Sequence, residues 1–348
     1  MPNDVSEHVQ SLISKLEQSQ IPQDLKQTVL DRLNRITRIG ASTQAFDEVD
    51  RTENYIEWLV KIPWTSRSQD ILDLEFAKKT LDKNHFGLED VKDRVLEYIS
   101  VMKLNKDKGE NALKRSPVLC FIGLAGTGKT TIATSIAESL RRKFYRIPLG
   151  GLGDTLELRG LSKVHPEAEP GRVIKALCSV EVRNPVILLD EVDRVDEKGR
   201  AGVMGILLEL LDPEQQTGFT DYYIDYPFDL SEVLFITTGN NTTNIATAVL
   251  DRLEVIQMPA YTDEQKIHIG REYMLPKILE ESGLPREAVE IESEVWPNIV
   301  RPLGFDAGMR TLDRTIQTIV RRVAREYVEG RVQGIKLGST NIKEYIGA

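Results

Sequence analysis

The hydrophobic positions near the N-terminus recur at the spacing of an amphipathic helix. One stripe covers residues 9–16, and a second covers residues 25–36, with Pro22 before it and Gly40 after it. The members of the two stripes are Val9, Leu12, Ile13, Leu16, Leu25, Val29, Leu33 and Ile36. Apolar residues three or four positions apart share one helix face, and Pro and Gly are typical of helix beginnings and ends. We therefore predict two helices here and a third over residues 42–60, each buried by packing of helix against helix.

Short apolar runs alternate with segments of helical periodicity from residue 70 onward. The runs are of strand length and bounded by turn or polar residues, and they cover residues 118–122, 144–148, 186–189, 234–238 and 254–258. Strands that alternate with helices are typical of βαβ units, which build a parallel sheet. The sequence therefore predicts an α/β fold with helices on both sides of a parallel sheet.

The strand pattern stops after residue 261. Helical periodicity returns over residues 264–282 and 310–329, and the turn-rich tail from Gly330 is expected to hold a short strand or two. We expect three domains, whose bounds are 1–69 (helical), 70–261 (α/β) and 262–348 (mostly helical).

The composition is that of an ordinary globular protein. Of the 348 residues, 41% are hydrophobic and 28% are charged, and no apolar run reaches the ~20 residues of a membrane span. The N-terminus shows no signal peptide, and Cys120 and Cys178 lie in apolar surroundings, which favours a reducing compartment without disulfides. A net charge of −9 gives no general attraction to nucleic acid or an anionic membrane. We expect a cytoplasmic protein without a membrane or nucleic-acid partner.

The strongest motif lies between the first predicted strand and the helix that follows it. Residues 123–130 read Gly-Leu-Ala-Gly-Thr-Gly-Lys-Thr and fit the phosphate-binding pattern G-x-x-x-x-G-K-[ST]. Glycines let main-chain N–H groups face a phosphate, Lys129 places a positive charge on the β- and γ-phosphates, and Thr130 offers a hydroxyl to Mg²⁺. The residues predicted to bind the nucleotide are Gly123, Leu124, Ala125, Gly126, Thr127, Gly128, Lys129, Thr130 and Thr131. A Gly-rich turn without a ligand is the alternative, and the strand and helix on either side disfavour it.

A pair of carboxylates follows the third predicted strand. The apolar run at residues 186–189 ends in Asp190 and Glu191. Asp190 at the strand end suits Mg²⁺ binding, directly or through water, and Glu191 is placed to orient or deprotonate the attacking water. Acidic pairs after a strand are often solvated turn residues, but one βα unit separates this pair from the phosphate-binding loop, which favours the functional interpretation. ATP and Mg²⁺ are therefore the predicted cofactors.

These motifs and several others resemble the ATPase region of Lon proteases. The similar stretches are YIEWLVKIPW (55–64), HFGLEDVKDRVLEYI (85–99), GLAGTGKT (123–130), PLGGLGDTLELRG (148–160), NPVILLDEVDR (184–194), LLELLDPEQ (207–215), PFDLSEVLFITTGN (227–240) and MLPK (274–277). They extend from about residue 55 toward the C-terminus. The resemblance implies an AAA+ fold with a helical lid, ATP hydrolysis, and a homo-oligomeric ring (a hexamer in this family) with ATP and Mg²⁺ bound between subunits.

Further site residues follow from the resemblance alone. Asn240, at the end of LFITTGN, matches sensor 1, which holds the attacking water. Arg252 in LDRLEVI matches the arginine finger, which reaches the γ-phosphate bound by a neighbouring subunit, and Arg310 in MRTLDR matches sensor 2 in the lid. His85 and Phe86 match residues that line the adenine pocket. The resemblance therefore implies a catalytic set that extends well beyond the two nucleotide motifs.

One loop departs from the family pattern. Lon enzymes carry an aromatic–hydrophobic pair, within T-Y-V-G, in the loop that grips a polypeptide in the central pore. Alignment on Leu158 and Pro170 without a gap places His165, Pro166 and Glu167 at the gripping positions. An aromatic ring gives apolar contact to a passing side chain, whereas proline stiffens a loop. We therefore expect poor threading of a polypeptide.

The Ser–Lys protease domain of Lon has no counterpart in this sequence, and of the large N-terminal domain only the helical end is matched. No peptidase activity is expected from this chain alone. Three functions stay open: a motor whose peptidase or protein substrate is another chain, a protease-independent remodelling or regulatory ATPase, and a truncated or excised piece of a full Lon. The altered loop favours the second and counts against the third.

Overall fold

The computed structural model describes residues 2–39, 43–109, 116–301 and 308–346. In this part of the chain, each helix is too short or too polar to pass through a lipid bilayer. The helix end expected at Gly40 and the first predicted residue of the third helix, Ser42, lie outside the described residues.

Three N-terminal helices confirm the amphipathic pattern. They are α1 (Pro2–Gln18), α2 (Gln23–Ile39) and α3 (Thr43–Lys61). The predicted stripes of α1 and α2 are buried, apart from Ile13, which is partly buried. Leu16 and Leu33 are fully buried, and removing one such side chain from water contributes about 2 kcal/mol.

A five-stranded parallel sheet forms the centre of the chain. The strands in chain order are β1 (Val118–Ile122), β2 (Phe144–Pro148), β3 (Val186–Asp190), β4 (Phe219–Thr220), β5 (Pro227–Phe228), β6 (Leu234–Gly239) and β7 (Leu253–Gln257). The sheet has the order β2-β3-β6-β1-β7 with every neighbouring pair parallel, and β4 pairs antiparallel with β5 apart from it. The α/β fold is thus confirmed, and the five predicted strands agree with the observed bounds to within one residue.

Helices cover both faces of the sheet. They are α4 (Leu74–Asn84), α5 (Glu89–Asp107), α6 (Lys129–Leu140), α7 (Leu156–Arg159), α8 (Arg172–Val180), α9 (Arg200–Leu211) and α10 (Thr247–Leu250). Alternate residues of β1 point to opposite faces. Leu119 and Phe121 pack in the core with α4, α5 and α6, whereas Cys120 and Ile122 belong to the core shared with the N-terminal helices. Every residue of β1 and β3 is buried, which explains their unbroken apolar runs.

The C-terminal elements form a core of their own. They are α11 (Asp263–Ile269), a π-helical turn (Gly270–Met274), α12 (Leu275–Glu281), β8 (Val289–Ile291), α13 (Trp296–Val300), α14 (Arg310–Val328), β9 (Ile335–Leu337) and α15 (Ile342–Ile346). The helix predicted over residues 264–282 is interrupted by the π-helical turn. The strand expected in the tail is confirmed as β9, but its parallel partner β8 shows that the expected end of strands at residue 261 is wrong. Three residues are too few for a periodic signal.

The N-terminal segment packs on the antiparallel β4–β5 pair and the loop between its strands, partly through aromatic side chains. The Tyr55 hydroxyl donates to Ile224 O at 2.7 Å, and the Trp64 ring lies 5.5 Å from that of Phe228.

Single 3-10 turns lie at Val192–Arg194, Gln216–Gly218, Arg286–Ala288 and Ser293–Val295. The domain boundary between residues 69 and 70 stays a prediction, because the helices before it share a core with the sheet after it.

Candidate active site

The loop between β1 and α6 follows a path that requires glycine. Gly126 and Gly128 have φ values of 81° and 94°, in the left-handed region that side chains disfavour. A Cβ on Gly123 would lie 2.7 Å from Met258 O, which is closer than a side chain can approach. The chain therefore turns tightly into the N-terminus of α6, where the first main-chain N–H groups have no partner within the helix.

Lys129, the first residue of α6, folds back over this loop. Its Nζ donates to Gly123 O at 2.6 Å, to Leu124 O at 2.9 Å and to Asn240 Oδ1 at 3.2 Å. Burial lowers the pKa of this ammonium group, and nearby carboxylates, Asp190 first, oppose that effect. The cation thus already binds oxygen acceptors, and phosphate oxygens are stronger acceptors of the same kind.

Asp190 and Glu191 are adjacent in sequence but have separate surroundings. Asp190 Oδ2 accepts from the Arg146 guanidinium, and its Oδ1 accepts from Thr238 Oγ1. Glu191 has a φ of 60°, a left-handed conformation that a glutamate seldom adopts. Its Oε1 lies 3.2 Å from Arg194 Nη1. Two carboxylates in different environments are suited to different chemical roles.

A cavity of about 320 Å³ lies between the loop, the end of β3 and the start of α14. It brings together most of the predicted site residues, namely His85, Phe86, Ala125, Gly126, Gly128, Lys129, Thr130, Thr131, Asp190, Glu191, Asn240 and Arg310. Gly123, Leu124 and Thr127 complete the loop without forming part of its wall. The wall also includes residues that sequence reasoning missed, namely Asn84, Tyr261, Ile269 and Met309. Met309 N donates to Gly126 O at 3.0 Å, so the C-terminal core touches the loop directly.

One part of the cavity wall carries the aromatic rings of His85 and Phe86. His85 is 5% exposed, and its Nε2 lies 2.9 Å from Ser135 Oγ. Burial, with the charge of Lys92 as a smaller cause, lowers the pKa of His85 to about 4, so the ring is neutral at pH 7. The Phe86 ring lies 4.1 Å from that of His268. Such a wall suits a flat, uncharged aromatic base.

The oxygen donors at the other end fit a Mg²⁺ ion that also binds phosphate. Thr130 and Asp190 both line the cavity. Within the described ranges, no group of three or more His, Cys, Asp or Glu side chains could hold a metal ion by itself. Mg²⁺ is commonly held by one or two side-chain oxygens together with phosphate and water. The donor set therefore fits Mg²⁺ in company with a phosphate ligand.

Arg252 lies on a different surface from this cavity. Its Nη2 is 3.3 Å from Asp212 Oδ2, and 44% of its side chain is exposed. With Asp212, Pro213 and Asp251 it borders a second cavity, of about 410 Å³. The fold does not bring Arg252 to the phosphate-binding loop of its own chain, and its role at a neighbouring subunit stays a prediction.

The loop expected to meet a polypeptide has a closed base and an exposed outer part. Leu161 N donates to Glu169 O at 3.1 Å, which joins the two sides of the loop. Residues 165–167 are all exposed, and their place at the gripping positions stays a prediction. Val164 beside them is 77% exposed, so an aliphatic side chain remains at the outer part of the loop.

The two cysteines are unsuited to nucleophilic chemistry. Both are free, and burial raises the pKa of the Cys120 thiol to about 11 and that of Cys178 to about 12. The thiolate is the reactive form of cysteine, and these thiols stay protonated at neutral pH. Core packing accounts for both residues.

Two regions of the chain match known protein families. Residues 119–260 match the ATPase family associated with various cellular activities (AAA), and residues 280–335 match the Lon protease AAA+ ATPase lid domain. The first region contains the sheet and the phosphate-binding loop, and the second contains β8, α13 and α14. Together with the cavity between them, these matches define an AAA+ ATPase module.

The chain is similar to Lon proteases over nearly its whole length. It is 40% identical to the Lon protease of Lawsonia intracellularis over 345 residues, which are 99% of this chain and 40% of that protein. Identity is also 40% to the Lon protease of Bacillus thuringiensis and to Lon protease 1 of Bacillus subtilis, over 97% of this chain and 42% and 43% of those proteins. Over this length the chain is similar to the AAA+ ATPase part of Lon proteases, and it spans about two fifths of the length of these relatives.

Proposed function

We propose that this chain binds ATP with Mg²⁺ in the cavity beside the phosphate-binding loop and hydrolyses it. The observation that carries the proposal is that Lys129, Asp190, Glu191, Asn240 and Arg310 meet around one cavity. Phosphoryl transfer to water requires a cation for the phosphates, a metal ligand, a base and two polar groups. Phosphate release that needs Mg²⁺ and is lost in Lys129→Ala tests the proposal.

The phosphate-binding loop and the carboxylate pair divide the work of hydrolysis. The bound nucleotide and its Mg²⁺ supply the phosphate that reacts and a counter-charge for it. Lys129 would exchange its two carbonyl acceptors for β- and γ-phosphate oxygens. Thr130 and Asp190 would hold the metal, directly or through water. Glu191 orients the attacking water and accepts its proton.

Asn240 and Arg310 complete the phosphate end of the proposed site. Asn240 Oδ1 is 3.2 Å from Lys129 Nζ, so its amide lies beside the cation that would bind the γ-phosphate. From there it can hold the attacking water. Arg310 is the first residue of α14 and follows Met309, which is hydrogen-bonded to the loop. We assign Arg310 to the phosphates, where it would link nucleotide binding to the position of the lid.

The proposed assembly is a homo-oligomeric ring, a hexamer as the family resemblance implies, with each nucleotide site completed by a neighbour. Support comes from Arg252, which has a partly exposed side chain on a surface away from its own cavity. Asp212 pairs with this arginine, and the pKa of that carboxyl is lowered first by the hydrogen bond from the Glu214 backbone N–H and also by Arg252. We place Arg252 at the γ-phosphate of the neighbouring subunit.

Hydrolysis is proposed to drive protein remodelling or ATP-dependent proteolysis in the cytoplasm, with peptidase residues outside these 348 residues. The named relatives are Lon proteases. Burial raises the pKa of both cysteine thiols of this chain, which disfavours either as a peptidase nucleophile. A protease-independent regulatory ATPase is the second candidate, and the exposed residues 165–167 favour it. A fragment of a full Lon would carry the same ATPase site.

Restoring an aromatic grip to the exposed loop is expected to make ATP turnover respond to substrate. The variant combines His165→Tyr, Pro166→Val and Glu167→Gly, because an aromatic ring gives apolar contact to any chain that passes it. Unfolded casein is expected to raise the ATP turnover of this variant at least about twofold, and to leave that of the wild type unchanged. Casein itself is expected to stay intact in both reactions.

A variant with His165→Ala, Pro166→Val and Glu167→Gly is the control, because it relaxes the loop without adding a ring. If this control is stimulated equally, the ring is not what was missing. If the wild type already unfolds a stably folded, tagged protein, the interpretation of the loop fails and the motor function with a separate peptidase is favoured.

A further inference from the structure

The Arg146 side chain forms an ion pair with the Asp190 carboxylate, which the proposed function assigns to Mg²⁺ binding. Arg146 lies on β2, which pairs with β3 so that Arg146 stands beside Leu188 and Pro148 beside Asp190. From there its Nε and Nη2 lie 2.6 and 2.5 Å from Asp190 Oδ2. Diagonal neighbours two residues apart on adjacent strands are within reach of a long side chain. The strand pairing therefore fixes a cation next to this carboxylate.

The other carboxylate oxygen of Asp190, Oδ1, also has a hydrogen-bond partner. Thr238 Oγ1 on β6 donates to Oδ1 and accepts from Glu191 N at 3.1 Å. Thr238 is fully buried and cannot leave without breaking both hydrogen bonds. Half of the Arg146 side chain is exposed, so water can replace its bonds at low cost. Of the two donors, Arg146 is the one that can give way to a metal ion.

Mg²⁺ and the guanidinium are alternative partners for the same oxygen, because two cations beside one carboxylate repel each other. We propose that Arg146 is the competing counter-ion of Asp190. It holds the carboxylate in place before the metal arrives and moves away when Mg²⁺ binds with the nucleotide. Arg146 thereby sets the Mg²⁺ concentration at which the site loads. This inference rests on the proposed function, since it takes Asp190 as a ligand of the metal.

Binding of Mn²⁺ separates this role from catalysis. Mn²⁺ prefers the same oxygen ligands as Mg²⁺, and its free concentration is measured by EPR with ADP and an excess of protein, so no turnover is involved. Arg146→Gln removes the charge and is expected to bind Mn²⁺ about three- to fivefold more tightly than the wild type, the scale of a partly exposed ion pair. Arg146→Lys keeps the charge and is expected to stay within about twofold of the wild type. ADP affinity in EDTA is expected to be unchanged in both.

Arg172→Gln is the matched control for loss of charge at this edge of the sheet. Arg172 donates to Pro148 O at 2.8 Å and pairs with Glu157 instead of Asp190. Its replacement is expected to leave Mn²⁺ affinity unchanged. A gain equal to that of Arg146→Gln would show a general effect of net charge and overturn the proposal.

Two failures can be told apart. If Arg146→Gln and a second uncharged variant, Arg146→Ala, bind ADP in EDTA but bind Mn²⁺ no more tightly than the wild type, Arg146 is not a competitor and the proposed function still stands. If the wild type itself binds no Mn²⁺ with ADP, the proposed function fails, and this inference fails with it.

Discussion

Glu191→Gln is expected to lower ATP turnover by about a hundredfold or more while ATP still binds. Glutamine has nearly the shape of glutamate but does not accept a proton from water at neutral pH. The residues of the phosphate cradle, 123–130, and Asp190 are untouched by the change. Phosphate release and binding of a fluorescent ATP analogue, measured on the same preparation, give both quantities.

Glu197→Gln is the matched control, because Glu197 is an exposed carboxylate in the turn that follows the active-site pair. Its turnover is expected to stay within about twofold of the wild type, as for most surface substitutions. If Glu191→Gln hydrolyses ATP as fast as the wild type, the role given to Glu191 is wrong.

Arg252→Ala is expected to bind nucleotide nearly as the wild type does and to hydrolyse it about a hundredfold or more slowly, since an arginine finger commonly contributes that much or more. Binding is spared because Arg252 does not line the cavity of its own chain. Turnover falls because the γ-phosphate of the neighbouring subunit loses a positive charge. Arg94→Ala, which removes an exposed arginine paired with Glu97, is the control and is expected to retain turnover.

Mixing two inactive chains tests whether the finger acts on a neighbour. An Arg252→Ala subunit keeps an intact cavity, and an adjacent Lys129→Ala subunit still offers Arg252. In a randomly mixed head-to-tail ring, about a quarter of the sites then have both parts, so activity is expected to return toward that fraction. No recovery, in samples where light scattering and pull-down demonstrate co-assembly, would count against a finger in trans.

Elements with a strong local pattern could be predicted from sequence. The strands at residues 118–122 and 144–148 were predicted with their observed bounds, because turn residues bound each run sharply. The pairing of β8 with β9 escaped prediction because each has three residues, too few for a period of two to show. The π-helical turn at Gly270–Met274 depends on tertiary packing: a Cβ on Gly270 would lie 2.7 Å from the Trp296 ring.

The residues of the candidate site fall into two similar groups: some belong to a local sequence motif, and others are brought to the site only by the fold. The phosphate-binding loop is one contiguous stretch of sequence, and the Asp190–Glu191 pair is another. A local motif and the spacing between the two therefore predict both. Arg146 and Thr238 act on Asp190 from two other strands, and neither has a local motif that marks it. Met309 reaches the cavity only because the lid folds over the loop. Such contacts depend on strand order and domain packing, which a single sequence does not display.

Phosphate release by the purified chain, with Mg²⁺ and after EDTA, tests most directly whether the cavity beside residues 123–130 is an ATPase site. The Lys129→Ala variant, with its thermal unfolding measured to establish that it is folded, serves as the comparison. We predict that the wild type releases phosphate only with Mg²⁺ and that Lys129→Ala is slower by about a hundredfold or more, because it lacks the charge that binds the β- and γ-phosphates. A folded wild type that binds ATP with Mg²⁺ but releases no phosphate, or a Lys129→Ala chain as fast as the wild type, would contradict this assignment.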